Sequence, residues 1–221
     1  MTSYQVLLFD LDGTLTDSGP GITKSVQYAL AQFGIIEPDL AVLAPFVGPP
    51  LTDSFQNRYG FDEAQAQQAL QLYREHFAGG GMYDNAVYPG IPELLETLAG
   101  QGKRLMIATS KPTYFAEPIL AHFQLDRYFE RIAGSSLEGK LSEKAEVIAS
   151  LLAEYPEIDR RKVVMIGDRK HDIIGARDNG IDSIAVNYGY AVPGELQAAA
   201  PTYLVHTVQE LGQLLCSATA L

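Results

Sequence analysis

The sequence predicts an α/β protein with a doubly wound parallel sheet and an α-helical domain inserted after the first strand. Short apolar runs without polar alternation recur along the chain, as expected of strands that are covered by helices on both faces. From residue 90 onward helical patterns separate these runs, which favours parallel strands joined by helices. Residues 18–88 break this alternation, because they show helical spacing but no convincing strand.

The elements of the predicted sheet follow from these runs. The predicted strands cover residues 6–9, 105–108, 163–166, 183–186 and 203–205. The helices predicted between and after them cover residues 91–99, 115–123, 142–155, 172–179 and 208–215. A chain of 221 residues is long enough for one such domain together with an insertion.

The insertion is predicted to contain three helices, at residues 22–33, 51–59 and 62–77. Pro20 near the start and Gly34 past the end delimit the first helix. Asp62 is the expected N-cap of the third. The sequence therefore predicts a catalytic core formed by residues 1–17 and 89–221 and a helical cap domain formed by residues 18–88.

Composition excludes several classes of function. The chain has 16 Lys+Arg against 27 Asp+Glu, a net charge of −11, which argues against a nucleic-acid partner. Its single cysteine, Cys216, cannot form an intrachain disulfide, which favours an intracellular location. The first residues lack the basic start of a signal peptide, and no apolar stretch reaches the ~18 residues of a membrane span. We therefore expect a cytoplasmic protein that contacts neither membrane nor nucleic acid.

Two carboxylates follow the first strand, in the segment Asp10-Leu11-Asp12-Gly13-Thr14. Residues two apart in an extended chain project to one side, which would place the carboxylates of Asp10 and Asp12 about 7 Å apart. They lie at the carboxyl end of a parallel strand, where ligands bind in open α/β sheets. Their repulsion favours a bound hard cation such as Mg²⁺. The alternative is a solvated Asp-x-Asp-Gly turn.

A second acidic segment follows the third predicted strand. Gly167 and Asp168 end this strand, and Asp172 lies one helical turn further on. Asp168 and Asp172 would share a face if the helix begins there. The alternative is that Asp168 only caps the helix. Two buried strands that both end in acidic residues favour a single metal site between them.

Two further segments contain groups that suit an anionic ligand. Thr109 and Ser110 follow a strand, where a hydroxyl can donate to a phosphate oxygen beside a helix N-terminus, although such residues also form turns and caps. Lys144 lies near the start of a helix, a position that the helix dipole disfavours for a cation unless a negative group lies nearby. Lys140, on a glycine-containing loop, is the competing lysine.

These four segments, in this order, resemble the four motifs of the haloacid dehalogenase (HAD) superfamily of phosphotransferases. The resemblance covers nearly the whole chain, and the helical insertion is similar to the C1-type cap of that superfamily. It implies a HAD-like Rossmannoid core. Within the superfamily, residues 14–18, residues 47–51 and the Gly-Asp-Arg form of the fourth motif resemble the phosphoglycolate phosphatase group, above all its 5′-nucleotidase-like members.

The resemblance implies catalytic roles for five residues. Asp10 would be the nucleophile that forms an aspartyl-phosphate. Asp12 would protonate the leaving alcohol and then act as base for water. Thr109, with Ser110 as the less certain alternative, would bind the phosphoryl oxygens. Lys144 would neutralise charge on the nucleophile and the phosphate.

The resemblance also implies a Mg²⁺ site. Its ligands would be Asp10, the backbone carbonyl of Asp12, and Asp168, with Asp172 binding directly or through water. Dehalogenase members of the superfamily lack the second carboxylate of the first motif, so Asp12 favours a phosphatase.

The function predicted is a Mg²⁺-dependent phosphomonoester hydrolase that acts on a small metabolite, either a 5′-nucleotide or 2-phosphoglycolate. A sugar-phosphate mutase or other phosphotransferase on the same site is the alternative. A non-catalytic binding protein would be expected to lack Asp10 or Asp12, and both are present. A monomer and a homodimer are both compatible with the sequence.

Overall fold

The computed structural model describes residues 4–138, 141 and 143–216. The chain divides into two compact units, one formed by Met1–Thr16 with Val87–Leu221 and the other by Asp17–Ala86. The strands are β1 (Val6–Phe9), β2 (Thr16–Asp17), β3 (Ala86–Val87), β4 (Arg104–Pro112), β5 (Arg131–Ser135), β6 (Val163–Gly167), β7 (Asp182–Val186) and β8 (Tyr203–Val205). The helices are α1 (Gly19–Gln32), α2 (Leu51–Tyr59), α3 (Glu63–Ala78), α4 (Ile91–Gly100), α5 (Thr113–His122), α6 (Lys144–Glu154), α7 (Lys170–Asp178), α8 (Glu195–Ala199) and α9 (Val208–Cys216).

The larger unit is built on a six-stranded sheet in the order β5-β4-β1-β6-β7-β8. Every neighbouring pair in this sheet is parallel, which confirms the predicted doubly wound α/β fold. β1 lies between β4 and β6, with Phe9 opposite both Ile107 and Ile166. The segments that follow β1, β4 and β6 therefore leave the sheet at the same edge.

The central strands are buried because helices cover both faces of the sheet. All four residues of β1 are buried, as are all five of β6. Leu8, Met106 and Met165 form one core cluster with Ile148 and Leu151 of α6. A fully buried aliphatic side chain contributes roughly 1.5–3 kcal/mol, so this face anchors the strands whose ends carry the predicted site.

One strand of the sheet was not predicted. β5 is an edge strand whose sequence, Arg-Ile-Ala-Gly-Ser, has a single large aliphatic residue, Ile132. Its first residue, Arg131, is exposed and pairs with Glu154 at 2.9 Å, so the segment has the composition of a solvated surface. The segment is a strand because its backbone pairs with β4, and no apolar pattern indicates this pairing.

The smaller unit contains α1, α2 and α3, as the helical spacing predicts. Asp62 caps α3 in a capping box, with its side chain accepting from the Gln65 N–H at 2.8 Å. Phe55, Tyr73 and Phe77 are buried in the core of this unit. None of the helices in the described residues is long and apolar enough to cross a membrane.

Candidate active site

Three buried carboxylates converge at the carboxyl edge of the sheet. Asp10 follows β1, Asp168 follows the adjacent β6, and Asp172 lies in the first turn of α7. One oxygen of each lies within 4.8 Å of an oxygen of the other two. The parallel alignment of β1 and β6 brings Asp10 and Asp168 together, as predicted, and the start of α7 folds Asp172 back towards them.

Glycines permit this close approach. Gly13 has φ +80°, and a Cβ at this position would clash with the Asp168 carboxylate. A Cβ at Gly167 would clash with the Asp172 carboxylate. Gly13 in the first motif is therefore required for its conformation and for space, and Gly167 in the fourth motif is required for space.

Asp168 does not cap α7, so this alternative reading is wrong. The helix begins at Lys170 with Arg169 as N-cap, and the Arg169 N–H donates to Asp172 Oδ2 at 3.0 Å. The Asp168 Oδ2 accepts instead from the Tyr190 N–H at 2.7 Å. Asp172 therefore binds the helix N-terminus through one oxygen, while Asp168 faces the cluster.

Lys144 provides the cation at the centre of this cluster. It is the first residue of α6 and is buried, with Nζ 2.8 Å from Asp10 Oδ1 and 2.8 Å from Asp172 Oδ1. It also donates to the Ala108 carbonyl at 3.0 Å. Burial acts to lower the pKa of this ammonium, but the Asp10 and Asp172 charges outweigh it and raise the pKa above its usual range. The competing residue, Lys140, lies outside the described residues.

The remaining acids of the cluster are poorly compensated. Burial raises the pKa of Asp168 well above its usual value, and the charges of Asp172 and Asp10 raise it further. Burial also raises the pKa of Asp172 to about 6, with Lys144 opposing the shift and Asp10 adding to it. A cation at this point would relieve both effects.

Asp12 is not part of this cluster and is paired with a second buried lysine. Lys111 Nζ lies 2.9 Å from Asp12 Oδ2, and the two side chains are 5% and 11% exposed. Sequence reasoning missed Lys111, although its spacing of two from Thr109 on one strand indicated that both could face the same side. Asp12 was predicted to bind metal through its backbone carbonyl, and that role stays a prediction.

Thr109 and Ser110 lie where the pairing of β4 with β5 shifts register, between Thr109 and Pro112. Thr109 is buried, and its Oγ1 accepts from the Lys111 N–H at 3.2 Å, which leaves the hydroxyl hydrogen to be donated. Ser110 is half-buried, and its carbonyl accepts from Ser135 Oγ at 2.8 Å. Of the two hydroxyls, that of Thr109 lies on the buried face of the strand.

Residues 7–186 match the family described as haloacid dehalogenase-like hydrolase. The chain belongs to this family. It is 50% identical over 212 residues to a 5′-nucleotidase from Pseudomonas aeruginosa, with 96% of each chain covered. It is 38% identical over 215 residues to a tyrosine-protein kinase, PtkA, from Mycobacterium tuberculosis, covering 96% of this chain and 73% of that protein.

Two further relatives agree with this assignment. A phosphoglycolate phosphatase from Colwellia psychrerythraea is 31% identical over 216 residues, with 94% of this chain and 95% of that protein covered. The crystal structure of a predicted phosphatase from Clostridium acetobutylicum superposes with a TM-score of 0.93 at 49% identity, covering 97% of this chain and 99% of that one. The protein is an enzyme of the HAD-like phosphatase class, as the four motifs predict.

The charges of this HAD-like site do not balance within the described residues. Four buried carboxylates, Asp10, Asp12, Asp168 and Asp172, face two buried ammonium groups, Lys111 and Lys144. With all six groups ionised, this leaves a formal charge of −2, equal and opposite to that of one divalent cation. Isolated buried charges are costly enough that they are paired or bind metals. The donor set, all carboxylate oxygens, suits a hard cation.

The loop after β7 supports the HAD-like site and was also missed. In this loop the Tyr190 N–H donates to Asp168. The Tyr188 hydroxyl donates to the Thr14 carbonyl at 3.0 Å. Glu195, at the start of α8, pairs with Arg169 at 2.9 Å and accepts from the Lys170 N–H at 2.9 Å. These contacts join residues far apart in sequence, and no local pattern reports them.

Proposed function

We propose that this protein is a Mg²⁺-dependent phosphomonoester hydrolase that acts through an aspartyl-phosphate on Asp10. The observation that carries the proposal is the buried cluster of Asp10, Asp168 and Asp172 around Lys144, with its excess of negative charge. The all-carboxylate donor set and the raised pKa of Asp168 fit a divalent cation, which Asp10, Asp168 and Asp172 would hold. When bound, the cation would neutralise charge on the phosphoryl group.

In the first step a carboxylate oxygen of Asp10 attacks phosphorus while the bond to the leaving oxygen breaks. Asp10 Oδ1 accepts from the Leu11 N–H at 2.8 Å and contacts Lys144, so we assign the attack to Oδ2. Asp12, protonated at this stage, gives its proton to the leaving oxygen and becomes a carboxylate. Thr109 donates its hydroxyl to a phosphoryl oxygen, with Ser110 as the alternative donor.

In the second step a water molecule attacks the phosphorus of the aspartyl-phosphate. Asp12 takes a proton from this water, and the bond between phosphorus and Asp10 breaks. Phosphate and the free Asp10 carboxylate result, and Asp12 is again protonated. One positioned group of this kind contributes typically 10²–10⁴-fold in rate. Lys144 offsets the charge of Asp10 throughout.

As substrate class we propose small phosphomonoesters, with 5′-nucleotides first and 2-phosphoglycolate second. Similarity to a relative named 5′-nucleotidase at 50% identity supports this order. To the helical unit we assign the role of a cap that selects the substrate. Within it, residues 45–51 are the candidate specificity loop, because glycine and proline fix a bend between two helices there. Exchange of this segment for the equivalent segment of a relative should then reorder substrates. The cytoplasm stays the expected location, because the single cysteine, Cys216, cannot form an intrachain disulfide.

The test is phosphate release from a panel of 5′-nucleotides, 2-phosphoglycolate and sugar phosphates, with Mg²⁺ and with a chelator. Asp10→Asn serves as the blank, because an amide cannot act as the nucleophile. Mg²⁺-dependent release that vanishes in this variant would support the proposal, and kcat/KM would rank the substrates. Transfer of phosphate to a sugar phosphate without release would instead favour the phosphotransferase alternative. Release that is unchanged in Asp10→Asn would refute the nucleophile.

A further inference from the structure

We propose that Lys111 is a positioning residue for the acid–base group: it fixes one oxygen of Asp12 so that the other faces the substrate. The proposal rests on the proposed function, because it presumes that Asp12 exchanges a proton with the leaving group. The four motifs named from the sequence include Lys144 but not this second buried lysine. Lysine is almost never fully buried unless it is paired.

The first argument is the asymmetry of the Asp12 carboxylate. Its Oδ2 lies 2.9 Å from Lys111 Nζ. Its Oδ1 is buried and has no hydrogen-bond partner within residues 4–138, 141 and 143–216. Leaving a buried carboxylate oxygen without a hydrogen-bond donor costs free energy. One oxygen is therefore held, and the other is available to a group that arrives with the substrate.

The second argument is the backbone that places Lys111. Between the paired positions Thr109 and Pro112, β4 contains two more residues than the opposing stretch of β5, from Gly134 to Ser135. Gly134 allows β4 and β5 to approach each other closely here, because a Cβ at this position would clash with the Lys111 carbonyl. The bulge is thus fixed by the neighbouring strand, as expected of a bulge that re-aims a side chain beside a site.

The same bulge links Lys111 to the phosphate-binding hydroxyl. The Lys111 N–H donates to Thr109 Oγ1 at 3.2 Å, while its ammonium contacts Asp12. One residue therefore orients both the hydroxyl proposed to bind the phosphoryl group and the carboxyl group proposed to protonate the leaving oxygen. A misplacement of about 1 Å can cost 10²-fold in rate, so the loss of this link should be measurable.

The decisive experiment compares leaving groups in Lys111→Met. Protonation matters for an alkyl phosphate, whose leaving group is strongly basic, and little for p-nitrophenyl phosphate. We expect kcat/KM to fall about 10–10²-fold with the alkyl phosphate and only a few-fold with p-nitrophenyl phosphate. A burst of p-nitrophenol should also appear, because water attack on the aspartyl-phosphate still needs Asp12. Lys111→Arg should restore part of the alkyl rate.

Two comparisons make the outcome specific. Asp12→Asn should show the same dependence on leaving group, and the double variant Lys111→Met/Asp12→Asn should lose little more than Asp12→Asn alone. The matched control is Lys103→Met, just before the start of β4, which removes a lysine that donates to the Tyr4 carbonyl at 2.5 Å. Its kcat/KM for both substrates should stay near that of the parent.

An equal fall for both leaving groups would overturn the proposal, since it would make Lys111 a phosphate-binding group. A loss in the double variant that multiplies the two single losses would also overturn it. If Lys111→Met does not fold, Lys111→Gln and the charge-neutral double variant provide the same comparison. Failure of the underlying function is detected separately in the parent protein, either as absent Mg²⁺-dependent phosphate release or as release that is unchanged in Asp10→Asn.

Discussion

Removal of divalent cations should lower the stability of this protein, because the buried site carries a formal charge of −2 among its described residues. A ligand that binds only the folded state stabilises it by RT ln(1 + [L]/Kd), which is about 2.7 kcal/mol at 100 times Kd. For a chain of this length, each kcal/mol moves Tm by roughly 2–4 °C. Near-saturating Mg²⁺ should therefore raise Tm by about 5–11 °C over the chelated protein.

The assay is thermal unfolding in MgCl₂ against chelator plus NaCl at matched ionic strength. Asp168→Asn should lose most of the Mg²⁺-dependent shift. Its metal-free form should be more stable than the metal-free parent at pH 7, because the raised pKa of Asp168 means that its ionised form destabilises the fold. Asp178→Asn, an exposed acid at the end of α7, is the matched control and should behave as the parent.

The same experiment has a pH dependence with a defined sign. Because the pKa of Asp172 is raised to about 6, the folded protein without metal binds more protons than the unfolded chain between pH 4 and 6. The contribution of Asp172 to the stability of the metal-free protein should thus decline as pH rises through this window, and the increase in Tm on adding Mg²⁺ should grow. A Mg²⁺ shift that is equal in Asp168→Asn and the parent would refute the carboxylate cluster as the metal site.

Three further outcomes are expected. Asp10→Asn should keep the thermal unfolding profile of a folded protein and abolish phosphate release; release at the parent rate would exclude Asp10 as the nucleophile. Lys144→Ala should lower kcat about 10²–10³-fold while Lys140→Ala stays near the parent, and the reverse order would show that the other lysine acts. Glu195→Gln should cost about 2 kcal/mol at pH 7 in urea unfolding, since it breaks the buried pair with Arg169. Burial acts to raise the pKa of Glu195, but Arg169 and two backbone N–H groups lower it overall, so this loss should fade as pH falls through that lowered value; a loss independent of pH would contradict it.

The main features of the site were accessible from the sequence because they follow from one rule of topology. Apolar runs identify β1, β4 and β6 as central strands, and parallel strands end at the same edge. Polar residues directly after those runs must then meet, which is why Asp10 and Asp168 were paired correctly. The position of Asp12 has a different cause from the one that the sequence predicts. Asp12 follows the end of β1, so extended-strand alternation does not describe it; the turn around Gly13 and the pair with Lys111 do.

Apart from Lys111, the missed features discussed above depend on contacts between segments distant in sequence. β5 is a strand through its backbone pairing with β4, and its side chains resemble a solvated surface. Tyr190 reaches Asp168 through a backbone N–H, for which the identity of its side chain carries no information. Glu195 contacts Arg169 from 26 residues away. Sequence patterns indicate local periodicity, and none of these three contacts is local.

The charges of the site also explain how an acidic protein can bind an anionic substrate. The net charge of −11 gives no long-range attraction for a phosphate ester. Lys144 already contacts three protein oxygens, and Lys111 is paired with Asp12. A substrate dianion would therefore compete with protein carboxylates for both ammonium groups. A phosphate that entered the metal-free site would add two negative charges to a buried excess of two. Binding of the substrate should therefore depend on a divalent cation more steeply than folding does, because the cation must offset both excesses at once.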